Sequence, residues 1–194
     1  SPFVGFLQRL NRQPKRQHLH MLNKILKYCK RHSACLVYKK LPGKPYILVI
    51  ADSAYQSTQS DPDSLALRGY FIFLAFHPEG KIGGHIQLID FISRRLQVIA
   101  RSAFAAELRN LFEAVQEAIN VAVWFHDIYR GPLTAEQCVA TRDNATHFLS
   151  ITACIDNFGL YSAVTKDEPT PGSDASMLYH VKATREFLDK KSLN

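Results

Sequence analysis

No acidic side chain occurs in the first 51 residues of this 194-residue chain, although eleven Lys or Arg do. The other 143 residues carry thirteen basic side chains and all seventeen acidic ones, so a strongly basic arm joins a mildly acidic body within a total of +7. An arm without carboxylates cannot neutralise itself, and phosphate is the matching partner. Also missing is any run near the ~20 apolar residues of a spanning helix, which leaves no membrane partner to expect. The opening Ser1-Pro2-Phe3-Val4-Gly5 has no basic stretch leading into an apolar one, so no secretory signal is read there. Cysteine is scarce: Cys29, Cys35, Cys138 and Cys154 form no Cys-x-x-Cys pair and have no spaced His partners, which argues against structural zinc. They are expected as small buried hydrophobes of a reducing, intracellular compartment, cytoplasm or organelle, and not of a secreted protein. With 46% hydrophobic and 21% charged residues the chain has the means to bury a core, and neither repeats nor low-complexity tracts interrupt it.

Periodicity supplies the elements. Leu19, Leu22, Ile25, Leu26 and Cys29 recur at helical spacing, with Lys15, Arg16, Lys24, Lys27, Lys30 and Arg31 mostly off that face. His18 and His20, two residues apart, point in different directions and make no metal pair. After the turn Leu41-Pro42-Gly43-Lys44-Pro45, the run Tyr46–Ala51 reads as a central strand ending in Asp52. A polar loop, Gln56 to Asp63, precedes a second strand, Gly69–Phe76, broken at Pro78-Glu79-Gly80. Gly83-Gly84 opens a third, His85–Ile92, with Ile86, Leu88 and Ile92 assigned to one face. Phe71, Phe73 and Phe76, at strand spacing in an apolar run, are expected in the core rather than as base-stacking groups, and Trp124 and Phe125 likewise. Residues 103–125, capped by Ser102, form the strongest helix, with Leu108, Leu111, Phe112, Val115, Ala118, Ile119 and Ala122 as its buried stripe. Gly131-Pro132 ends that region. A short helix over Thr134–Thr141, a fourth strand over Phe148–Ile155 ending in Asp156, a loop Asp167–Ser173 and a final helix near 175–190 complete the chain. A strand that follows a crossover helix is free to lie parallel to the first. The expected fold is therefore a mixed α/β sheet, three antiparallel strands plus a parallel fourth with helices packed on it. Residues 1–44 form a basic helical arm and 45–194 the body.

Two strands ending in Asp, and a helix with Glu107 in its first two turns, place three carboxylates where a parallel sheet edge and a crossing helix meet. One such residue means little, since Asp at a strand end is ordinarily a turn former and Glu early in a helix suits the dipole. Together, three converging acids repel unless a cation intervenes, and Mg²⁺ is the natural guest for oxygen ligands beside phosphate. Two such ions serve phosphodiester cleavage. Other chemistries lack their signatures: no Lys-Ser/Thr follows Gly83-Gly84, and no nucleophile elbow surrounds any Ser.

In order along the chain, Asp52, Gly69-Tyr70, Gly83-Gly84, Ser102 with Ala106-Glu107, and Asp156-Asn157 resemble the ribonuclease-H-like end of copia-type retrotransposon polyproteins. Leu7-Gln8-Arg9-Leu10, Pro14, His18, Ile25-Leu26-Lys27-Tyr28 and Leu36-Val37-Tyr38 are similar to the reverse-transcriptase tail preceding that domain. The resemblance spans nearly the whole chain and implies Asp52, Glu107 and Asp156 as catalytic metal ligands. It also implies a further strand and helix, with a fourth metal-binding Asp, beyond Lys190-Lys191-Ser192-Leu193-Asn194. Asp174, Glu186 and Asp189 do not match that position. Where the family carries auxiliary acids, this chain has Ala54 or Tyr55 and Ala105.

Two expectations follow. The first is an exapted, non-catalytic component of a ribonucleoprotein, binding nucleic acid, most of all RNA, through Lys15, Arg16, Lys24, Lys27, Lys30, Arg31, Lys39 and Lys40, needing no cofactor, with protein neighbours covering an exposed sheet edge. The second is an active Mg²⁺-dependent ribonuclease H acting on RNA–DNA hybrids.

Overall fold

The computed structural model describes residues 7, 13–32, 35–54, 66–78, 84–96, 100–143, 149–166 and 175–189. The expected loops over 56–63, 79–80 and 167–173, along with Gln8-Arg9-Leu10, Tyr55, Gly83, Phe148, Asp174 and 190–194, lie outside these. The chain divides into two compact units, Ser1–Lys39 and Lys40–Asn194. Among the described residues no helix is long and apolar enough to cross a membrane.

In the first unit helix α1 spans Arg16–Arg31 and buries none of its residues. Lys30 and Arg31 sit in its last turn, where cations complement the carbonyl end of the helix dipole.

The second unit runs β1 (Tyr46–Ala54), β2 (Leu67–Phe76), β3 (His85–Arg95), α2 (Ala103–Arg130), α3 (Ala135–Asp143), β4 (Ile151–Cys154), α4 (Phe158–Thr165), a 3₁₀ turn (Ala175–Met177) and α5 (Leu178–Asp189). The sheet order is β3-β2-β1-β4. β1 pairs antiparallel with β2, β2 with β3 likewise, and β4 joins β1 in parallel. This is the mixed α/β arrangement expected from the sequence.

Helix α2 packs on β1 and β2, and α5 on α2 and α4. Ile47 and Val49 of β1, Ile72 and Leu74 of β2, and Ile151 of β4 meet Leu108, Leu111, Val115, Ala118, Ile119 and Ala122 of α2 in one core. Phe112 stays half-buried, its ring stacked on Phe187 of α5 at 5.8 Å and edge-on to His180 at 5.4 Å. Ser102 caps α2 as expected, its hydroxyl accepting from Ala105 N at 3.1 Å. The helix runs on to Arg130 and stops at Gly131, whose φ of 106° suits a residue without Cβ.

Among the described residues of this unit no element covers the sheet's other face, and several expectations change with it. Phe71 is 46% exposed and Phe73 and Phe76 half-buried, not core. Phe71 stacks on Phe73 at 5.9 Å and on Phe91 at 6.3 Å along this open surface. A continuous apolar strand reads as buried on both sides, whereas helices here cover one. In β3, Ile72 pairs with Asp90 but Phe73 with Leu88, so Ile89 is an extra residue. That bulge reverses the alternation: Ile92 packs on the core while Ile86 is exposed, and the two do not share a face. Trp124 is exposed and Phe125 packs on the core, because successive helical positions point about 100° apart. Cys29, Cys35 and Cys154 are exposed and Cys138 half-buried, all free, contrary to the buried cysteines expected. Cys29 lies on α1, which buries nothing, and Cys154 on the edge strand.

Arg68 of β2 is 3% exposed and forms an ion pair with Glu113 of α2, while Arg94 of β3 reaches the same carboxylate at 3.8 Å. Burial lowers the Arg68 pKa, and Arg94 lowers it further. Removing the carboxylate strands a buried guanidinium, so Glu113→Gln should cost about 2–3 kcal/mol in urea unfolding. Arg68→Met, which leaves a half-exposed carboxylate with Arg94 still near, should cost less; the reverse ranking would refute this reading of the pair.

Candidate functional site

Asp52 lies in β1 opposite Gly69 of β2, two residues before the strand ends rather than at its tip. The parallel register ends at Ile50↔Cys154, so Asp52 and Asp156 each stand two residues beyond the last β1–β4 pair. Both side chains are exposed, and Glu107, in the second turn of α2, is half-buried. Burial raises the Glu107 carboxyl above its ordinary value, a side-chain hydrogen bond from Asn157 opposes that, and the charges of Asp156 and then Asp52 raise it again. Asp156 and Asp52 thus both act electrostatically on Glu107.

Two asparagines hold this corner together. Asn110, one helical turn after Glu107, is fully buried. Its Nδ2 donates to the Asp52 carbonyl at 2.7 Å and the Gly69 carbonyl at 2.9 Å. It therefore ties α2 to two adjacent strands at the point where Asp52 emerges. Asn157 caps α4, its Oδ1 accepting from Leu160 N at 2.9 Å, while its amide serves Glu107. In the sequence Asn157 stands only as the partner of Asp156 in a motif, with no role of its own, and Asn110 is not singled out. Asn110, however, interrupts an apolar stripe, and a polar residue there needs buried partners. Helix α4 also went unforeseen, with Gly159 in its first turn hiding the cap–helix pattern.

The fit to Mg²⁺ is incomplete. The donors are hard oxygens, and Glu107 Oε2 is buried without a hydrogen-bond partner. Yet among the described residues no three His, Cys, Asp or Glu side chains stand close enough to hold one ion. As placed, Asp156 and Asp52 influence Glu107 without the three forming a ligand shell.

Elsewhere on this unit a polar cleft of about 580 Å³ is lined by Tyr70, Arg94, Glu113, Glu117, Arg142 and Glu186, among others, and by none of the three acids. Its charges are largely paired internally: Glu113 with Arg68 and Arg94, and Arg142 with Asp143 at 3.1 Å.

The basic residues occupy the other unit and its border. Lys15, Arg16, Lys24, Lys27, Lys30 and Arg31 are all exposed on or beside α1, and Lys39 and Lys40 are exposed after it. On a helical projection Arg16, Lys24, Lys27 and Arg31 fall within one arc, a basic ridge.

No family model and no curated protein matches the chain. Among solved structures, the solution structure of the PFV RNase H domain superposes with a TM-score of 0.39 at 16% identity, over 78% of each chain. That superposition is loose, and the fold described above rests on strand order and register alone.

A carboxyl raised on folding binds its proton more tightly in the folded state. The stabilisation this brings is fully present below the ordinary Glu value and is lost as pH rises through the folded one. Glu107→Gln should therefore raise the thermal midpoint by a few degrees at neutral pH, with the advantage shrinking as the medium is acidified. Melting curves across that range that stay parallel would show that the carboxyl is not under strain.

Proposed function

We propose that this chain is a retroelement-derived nucleic-acid-binding protein: a ribonuclease-H-like body of copia type serving as scaffold, with a basic helix that takes the phosphates. RNA within a larger ribonucleoprotein, in a reducing intracellular compartment, is the favoured setting. The observation that carries this is the exposed ridge of α1, for which the first 51 residues offer no neutralising carboxylate. Support for a non-catalytic body comes from Ala54 or Tyr55, and from Ala105, where the resemblance would place auxiliary acids. Among the described residues β4 has no strand on its outer side, an edge suited to a protein neighbour.

Binding to structured RNA, followed by fluorescence anisotropy over a salt series, should weaken steeply as counterions are released. Replacing Lys15, Arg16, Lys24 and Lys27 together by Ala should reduce the log–log slope by about 3, given roughly 0.7–0.9 per phosphate contact. Salt-independent binding, or a slope untouched by the four substitutions, would remove the proposal.

The orphaned Glu107 oxygen beside two acids favours a second reading, an active Mg²⁺-dependent ribonuclease H whose exposed Asp52 and Asp156 side chains turn inward with substrate bound. It requires cleavage of a labelled RNA–DNA hybrid in Mg²⁺ or Mn²⁺ that vanishes in Asp52→Asn. No cleavage at high protein concentration eliminates it.

A further inference from the structure

The polar cleft of about 580 Å³ beside α2 has the size of a small-molecule site, and one group in its wall lacks a partner. Tyr70 of β2 lines it although only 5% of the residue is exposed. A buried phenol ordinarily finds a hydrogen-bond partner. Among the described residues this hydroxyl has none. Glu117 and Arg94, which line the cleft too, both act on it electrostatically, so its polar end faces that space. Burial raises the Tyr70 pKa, and Glu117 and then Asp90 raise it again against Arg94 and Arg68. The hydroxyl therefore keeps its proton and its lone pairs at neutral pH.

The charges of the lining sort by partner. Glu113 is engaged by Arg68 and Arg94, and Arg142 by Asp143. Glu117, half-buried one turn further along α2, has no ion pair among the described residues. Only the Asn120 amide reaches it, at 3.4 Å, and that bond leaves the Asn120 carbonyl oxygen to accept. One wall thus carries three acceptors, the Glu117 carboxylate, the Tyr70 hydroxyl and Asn120 Oδ1, with Ile119 and Phe187 as apolar surface in the same cleft. We propose that this cleft binds the ammonium group of an alkylamine. Three N–H donors meet three acceptors, one of them charged, and the alkyl chain lies on Ile119 and Phe187. A divalent metal fits less well, because among the described residues no three acidic, His or Cys side chains stand close enough to share one. An anion also fits less well, since Arg94 and Arg142 already stand beside carboxylates. A free polyamine and the lysine side chain of a protein both present the required group.

Amide NMR titration of the intact chain with butylammonium chloride, at constant ionic strength, tests this. Saturable shifts centred on Tyr70, Glu117 and Asn120 are expected. Glu117→Gln should weaken binding by roughly tenfold, the scale of one hydrogen bond to a charged group. Tyr70→Phe removes a hydroxyl without a partner, so it should weaken binding by about threefold or more while leaving the thermal midpoint unchanged or higher. Butyltrimethylammonium, with the same charge and no N–H donor, should bind roughly tenfold more weakly to the parent chain, a comparison that needs no variant. Tighter binding of 1,4-diaminobutane than of the monoamine would identify a free polyamine as the ligand, and tighter binding of Nα-acetyl-lysine methylamide a lysine side chain; either upholds the proposal. The absence of saturable shifts with every amine would overturn it. So would an affinity untouched by Glu117→Gln, equal binding of the trimethyl analogue, or inorganic phosphate moving the same signals more strongly than the amines.

Discussion

The acidic corner exists because one buried amide joins three elements. Asn110 reaches the carbonyls of Asp52 and Gly69, cross-strand partners in β1 and β2, from the helix that also carries Glu107. Elsewhere α2 is held on the sheet by the Arg68–Glu113 ion pair and by apolar contacts, which fix distance better than rotation or register. Two directional bonds at the first turns define both, and they set which way Glu107 faces. The cost is an unsatisfied Asn110 Oδ1 in the interior, tolerable where two buried carbonyls would otherwise stand unpaired.

Around that anchor the carboxylates gather at a cost. Glu107 is desolvated and stands in the field of two like charges, with one hydrogen bond from Asn157 offsetting part of the penalty. The charge of the chain is divided differently: all eleven cations of the first 51 residues belong to the arm and its junction, where the sequence carries no acid.

Much of this was legible in the sequence, and the exceptions have physical causes. Periodicity located α1, β1, β2, β3 and α2 within a few residues, because Leu108, Leu111, Val115 and Ile119 can bury only along one helical face. The placement of β4 beside β1 followed from the long helix between them. What failed were inferences about covering. Phe71, Phe73 and the cysteines were assigned to the interior from side-chain type, but burial depends on what packs above, and no described element of the second unit lies over Phe71 and Phe73. The bulge at Ile89 was invisible because an inserted residue leaves an apolar run apolar. The three acids were legible as strand and helix termini. Asn110 was not, and Asn157 was legible only as part of the Asp156-Asn157 pair and not for its bond to Glu107, since an asparagine's role is set by partners distant in sequence.

Mn²⁺ is a paramagnetic stand-in for Mg²⁺, and amide NMR spectra of the intact chain recorded with Mn²⁺ and then with RNA would separate the two roles most directly. If the body is a scaffold and α1 the contact surface, Mn²⁺ should leave the signals of Asp52, Glu107 and Asp156 no broader than those of other exposed acids such as Asp143, and RNA should shift those of Arg16–Arg31. Selective broadening at the three acids at stoichiometric Mn²⁺, with α1 unmoved by RNA, would contradict it.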